Sequence, residues 1–140
     1  MKKKNLLSLY DCLTILCDIC GKEMKKKEYI ELIMPPLIEK WNKISNDDTK
    51  LIPLLDCLQS VSIALQDGFT TFAPTIFKRC LILINESLVD KNKESGDDFL
   101  VCSIDLISGM VEGLGSSVEN LISGTDFLKM LYFCCQVNFF

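Results

Sequence analysis

LIPLLDCLQSVSIAL, residues 51–65, decides the fold, because the chain carries this pattern three times. LLSLYDCLTILCDIC at 6–20 and LVCSIDLISGMVEGL at 100–114 lie on the same register. Leu6, Leu51 and Leu100 coincide, and so do Tyr10, Leu55 and Ile104; Leu13, Leu58 and Ile107; Leu16, Val61 and Met110; and Cys20, Leu65 and Leu114. One polar position is shared as well, at Asp11, Asp56 and Asp105. The offsets are 45 and then 49 residues. Apolar residues three and four apart define one face of a helix. Self-similarity at this period marks a solenoid whose unit is a pair of helices, each pair burying its apolar face on its neighbours. The chain is therefore a stack that works by presenting a surface.

Between these copies lie the partner helices. The first helix is predicted over about 6–20 and stops at Gly21, the second over about 28–44. The second carries Ile30, Ile33, Met34, Leu37, Ile38, Trp41 and Ile44 at helical spacing, and Pro35-Pro36 inside it predicts a kink or restart. The polar stretch Ser45 to Thr49 can cap a third helix over 50–66, closed by Asp67-Gly68. Pro74 suits the first turn of a fourth, reaching about Asp90 with Phe77, Cys80, Leu81, Ile84 and Leu88 as its stripe. After a charged loop at 91–97, a fifth helix over 98–114 is capped by Asp97 or Asp98, and Gly115-Ser116-Ser117 ends it. The third pair then departs from pattern: a short helix over 118–122, Gly124, and a last helix from Asp126 to about Gln136 with Thr125 as its cap. Strand signals are absent. The prediction is an all-α, α-α superhelix of the HEAT-repeat kind: a single segment over 1–140, with pairs at about 6–44, 50–90 and 98–136.

Composition narrows what such a stack can do. The 140 residues are 49% apolar with a net charge of −4, enough to bury a continuous core. Lys2 to Lys4 and Lys25 to Lys27 are the basic clusters, too short and too far apart to track phosphates, so nucleic acid is not an expected partner. No uncharged run reaches the 18 or so residues of a membrane span, and the apolar stretch after the N-terminal lysines is broken at Asp11, unlike a signal peptide. Of the eight cysteines, Cys17 falls where the other copies have Ser62 and Val111 and Cys20 where they have Leu65 and Leu114, which reads as packing, and Cys134 and Cys135 imply a reducing compartment. Cys17 and Cys20 form a C-x-x-C, but no second such pair and no histidine complete a tetrahedral metal site. Without histidine the commonest general base is missing, and Gly109, Gly113 and Gly115 lack the order of a phosphate loop. No catalytic residues, metal or cofactor are expected.

Three blocks carry a more specific likeness. EYIELIMPPLIEKWN at 28–42, LLDCL at 54–58 with ALQDGF at 64–69, and DLISGMVEGLG at 105–115 follow one another as in the middle HEAT repeats of the importin-beta family of nuclear import receptors. The chain resembles those repeats from about Tyr10 to Gln136. The resemblance implies a receptor that shuttles between cytoplasm and nucleus and takes protein cargo carrying a basic, proline-tyrosine-type nuclear localisation signal on its concave face. Release by the GTPase Ran is implied through parts of the parent receptor outside these residues. The ending Val137-Asn138-Phe139-Phe140 departs from the family, where the solenoid continues, so the chain reads as a fragment of a larger solenoid.

The family's cargo contacts match Trp41 and Ile38, and an ungapped count places the next ones at Ser87 and Asp90. An exposed indole offers a stiff apolar platform to an extended peptide, and a carboxylate such as Asp90 meets its basic residues. Trp41 also continues the stripe of Leu37, Ile38 and Ile44, which by spacing alone is a helix-packing position. A HEAT scaffold bridging protein subunits would show the same periodicity, and PPLIEKW is the feature that favours the import receptor over it. Cut from a stack, the two ends should expose Leu6, Leu9 and Leu13 on one side and Met130, Leu131, Phe133, Phe139 and Phe140 on the other, inviting self-association.

Overall fold

The computed structural model describes residues 3–90 and 96–136. Seven α-helices follow one another there: α1 (Lys3–Cys20), α2 (Lys27–Lys43), α3 (Leu51–Leu65), α4 (Ala73–Val89), α5 (Gly96–Leu114), α6 (Glu119–Ile122) and α7 (Phe127–Gln136). No strand occurs among the described residues, and the fold is the all-α solenoid that the threefold register predicts. Of the charged loop predicted over 91–97, residues 91–95 lie outside the described residues, as do the terminal Phe139 and Phe140, and α5 already begins at Gly96, with Asp97 and Asp98 in its first turn.

The repeated helices α1, α3 and α5 form one row, with α3 packed against both neighbours. That position explains its composition. Leu51, Leu54, Leu55, Cys57, Leu58, Val61, Ala64 and Leu65 are all buried, covering more than one face, because α1 and α5 close on α3 from two sides. Each such leucine contributes roughly 1.5–3 kcal/mol by leaving water. Helix α5 packs in turn on α4. The stretch Gly96–Ile122, with a mean hydropathy of 1.4, has the length and apolarity to cross a membrane. In the solenoid its apolar residues Leu100, Leu106, Ile107 and Met110 are buried in the shared core.

Two glycines set the spacing of the row. A Cβ on Gly113 would stand 2.2 Å from the Ser62 carbonyl oxygen, and one on Gly109 would stand 2.8 Å from the Ser62 Oγ and 2.9 Å from the Gln59 carbonyl oxygen. Backbone meets backbone here, which only glycine permits. Their register partners in α1 are Ile15 and Ile19, both exposed. The open face of α1 is thus the one that in α5 meets the preceding helix.

The turns follow the register too. Gly21 and Gly115 close α1 and α5 with φ of +54° and +60°, and the equivalent residue after α3 is Gln66, which holds φ +52° despite its side chain. Sequence reading placed that turn at Asp67-Gly68, one residue late. Helix α3 is entered through Asp48, whose carboxylate accepts the Lys50 N–H at 2.9 Å while its carbonyl accepts the Leu51 N–H at 2.9 Å. Thr125 Oγ1 accepts the Phe127 N–H at 3.4 Å at the start of α7. The predicted restart at Pro35-Pro36 does not occur. Helix α2 runs unbroken through both prolines, held by the buried Met34, Leu37 and Trp41 on its inner face. Packing of that face offsets the two backbone bonds that the prolines remove.

Both ends of the row are open. On α1, Leu9, Leu16 and Ile19 are exposed, Ile19 by 78%, while Leu6 and Leu13 are half-buried; on α7, Leu128, Tyr132 and Phe133 are exposed, Tyr132 by 68%, with Met130 and Leu131 half-buried.

Candidate peptide-binding site

Trp41 sits in the last turn of α2, four residues beyond Leu37 and three beyond Ile38, so its indole leaves the helix on the face that meets the second repeat. The expectation of an exposed platform is not met: the side chain is 1% exposed. The residue that covers it is Arg79 of α4, whose guanidinium carbon lies 4.8 Å from the indole centroid. Arg79 is the chain's only arginine.

The guanidinium is fixed in three directions. Its Nε–H donates to Asn46 Oδ1 at 2.7 Å, and its two terminal nitrogens donate to the Trp41 and Ile44 carbonyl oxygens. Those carbonyls belong to the end of α2, where four backbone acceptors have no partner within the helix. One arginine from the next repeat therefore caps α2, holds the turn that follows and stacks on the indole. Burial lowers its pKa from the usual arginine value, an effect that Glu86 opposes; the group stays protonated.

Two depressions flank this contact. One, of about 290 Å³, is lined by Trp41, Asn42, Thr75, Lys78, Arg79 and Ile82. The other, of about 450 Å³, is lined by Asn46, Asp47, Asn85, Glu86, Val89 and Asp90. Asn46 stands between them, lining the second and accepting from Arg79 above the first.

The four sequence-predicted residues divide accordingly. Asp90 is exposed at the end of α4 on the acidic depression. Ile38 is half-buried beside the core. Ser87 is only 6% exposed, and its hydroxyl donates to the Leu83 carbonyl oxygen at 2.8 Å within its own helix. The ungapped count placed Ser87 outward; the helical phase of α4, set by Cys80, Leu83 and Ile84 in the core, turns it inward. Arg79 and Asn46 were missed. The available signal was a lone arginine at the edge of an apolar helix stripe, next to Cys80.

A further depression, about 570 Å³ between α1, the end of α2 and the start of α3, includes Leu6, Tyr10, Lys40, Ile44 and Ile52 and none of the four residues. Cys17, Cys57, Cys80 and Cys134 are buried and Cys102 is half-buried, whereas Cys12 and Cys135 are exposed. Cys20, expected to pack like its register partners Leu65 and Leu114, is exposed too, because among the described residues no helix covers that side of α1. Burial, the main cause in each case, pushes Cys17 up to about 11 and Cys57 and Cys102 up to about 12, and raises Cys80. These thiols are protonated and unreactive at neutral pH.

No protein-family model matches the chain. Individual proteins do. Transportin-1 of Homo sapiens is 40% identical across 95% of the chain, and Transportin-1 of Oryza sativa subsp. japonica is 39% identical across 96%. Importin subunit beta-2 of Schizosaccharomyces pombe is 41% identical across 89%. The chain spans only 16%, 16% and 15% of the lengths of these three proteins. Along nearly its whole length, the chain is similar to one segment of the transportin and importin beta-2 proteins.

Proposed function

We propose that the chain is a segment of a nuclear import receptor and contributes part of a cargo-binding surface. The observation that carries this is the 39–41% identity to transportins and importin beta-2 from an animal, a plant and a yeast, over 89–96% of the chain. The face read as the binding face is that of the second helices, concave in the solenoid. Ile38 and Trp41 stand at one end of the site, and Ser87 and Asp90 at the other. Cargo is a protein with an extended, basic, proline-tyrosine-type signal. Its cationic side chains meet the depression of Asp47, Glu86 and Asp90, and an apolar one meets Trp41. Ser87 serves this surface from beneath by holding the last turn of α4. Action of Ran belongs to other parts of the parent receptor, which shuttles between cytoplasm and nucleus. Where the chain stands alone, the open faces of α1 and α7 support self-association.

Three repeats offer a share of the contacts that an extended signal makes along a longer solenoid, so affinity is expected to be weak, in the micromolar-to-millimolar range. Trp41 is the chain's only tryptophan, and its emission reports on this place alone. Titrating the chain with a tryptophan-free peptide carrying a run of arginines followed by Pro-Tyr should shift and saturate that emission. A scrambled peptide with Glu in place of Arg should leave it flat. Equal responses to the two peptides, or none to either, would remove the cargo reading.

A further inference from the structure

We propose that Arg79 is a latch over Trp41, closed in the peptide-free chain and displaced when a peptide side chain takes its place on the indole. This rests on the cargo reading above and adds a specificity-determining residue to it. The indole is 1% exposed, and the small depression beside it has the arginine in its wall. A side chain approaching from that depression meets Arg79 before it meets the ring. The ring cannot act as a platform while the guanidinium stacks 4.8 Å above it.

The contacts of Arg79 suit a group that can let go. All three acceptors are neutral oxygens, two from the backbone and one from an amide, so no carboxylate anchors the arginine over the ring, although its charge strengthens each bond. The arginine is half-buried, so its outer edge already touches water. A displaced guanidinium would also find a favourable neighbourhood. Glu86, two turns along the same helix, already attracts it, and Glu86 lines the acidic depression that begins at Asn46.

The same geometry says what the uncovered slot accepts. Besides Arg79 its walls are Trp41, Asn42, Thr75, Ile82 and the exposed, cationic Lys78. An apolar or aromatic peptide residue fits there, while a cationic one is repelled by Lys78 and drawn to the depression of Glu86 and Asp90. The latch thus sorts the two kinds of side chain on one extended peptide between two neighbouring places.

The test uses acrylamide quenching of Trp41 together with polarisation titrations of a labelled arginine-run, Pro-Tyr peptide, for wild type, Arg79→Ala and Arg79→Lys. Helicity is checked by circular dichroism. Removing the stacked cation should raise the quenching constant severalfold and tighten peptide binding by at least about three- to tenfold, because the peptide no longer has to break the cation–π contact or the three hydrogen bonds of the guanidinium. Lysine cannot reproduce the fork to three acceptors, so Arg79→Lys should fall between the other two. Should Arg79→Ala fail to fold, the lysine variant alone decides. Unchanged quenching in a folded variant, or weaker peptide binding by it, overturns the latch. Raised quenching with no peptide binding by any of the three proteins removes the cargo reading instead and leaves Arg79 as the cover of the indole.

Discussion

Trp41→Ala should lower stability by about 3–5 kcal/mol, the usual cost of truncating a large buried aromatic. The indole is 1% exposed, packs with Met34 and Leu37 on the inner face of α2, and carries the Arg79 guanidinium on its ring. Truncation therefore opens a cavity and unstacks the arginine, a contact worth about another 0.5–2 kcal/mol in a partly desolvated place. Circular dichroism melts should show a large fall in midpoint, on the order of 10 °C or more. A variant melting within a degree or two of wild type would place the indole on the surface and contradict the packing described for α2 and α4.

Gly113→Ala should also destabilise, although alanine is the better helix former by about 1 kcal/mol. The added methyl would sit 2.2 Å from the Ser62 carbonyl oxygen, and no side-chain rotation can relieve a clash with backbone. Helices α3 and α5 would have to part by roughly 1 Å before ordinary contact is restored, loosening the best-packed junction of the row. A net loss of about 3 kcal/mol is expected, at the upper end for overpacking. The control is Gly21→Ala, where nothing lies within 4 Å and only the φ of +54° opposes the substitution; its cost should stay near 1–2 kcal/mol. If Gly113→Ala raised the melting temperature, the close approach of α3 and α5 would be refuted.

The helices were legible because the register repeats. Leu6, Leu51 and Leu100, and each set below them, can share a face only if all three stretches are helices of one stack. The row of α1, α3 and α5 follows from that. The spacing of the row was not legible, because Gly109 and Gly113 read from sequence only as the absence of a phosphate loop, and how near another backbone comes is a three-dimensional fact. Pro35-Pro36 misled for a related reason. Local propensity argues for a break, and the burial of Met34, Leu37 and Trp41 overrides it.

At the candidate site the sequence separated into two readings of Trp41 that spacing could not resolve. The stripe of Leu37, Ile38 and Ile44 says that the indole faces inward, and it does. What it faces is a charged residue 38 positions away. Arg79 lies at the edge of the apolar stripe of α4, where pattern reading takes it for a solvated residue, yet its long stem and planar head cover an aromatic surface while its donors satisfy the end of α2. Ser87 and Asp90 were placed by counting without gaps, and the helical phase of α4 separates them, burying the first and exposing the second.

The most direct measurement is to map where a signal peptide touches the chain. A peptide with a run of arginines followed by Pro-Tyr, carrying a photoreactive benzophenone beside the Pro-Tyr pair, would be cross-linked to the chain and the adducts located by mass spectrometry. Adducts should concentrate on the second-helix face, within 38–46 and 75–90, around Trp41, Arg79 and Asp90. Adducts confined to the exposed faces of α1, α3 and α5, with none near Trp41 or Asp90, would contradict a cargo site at this place.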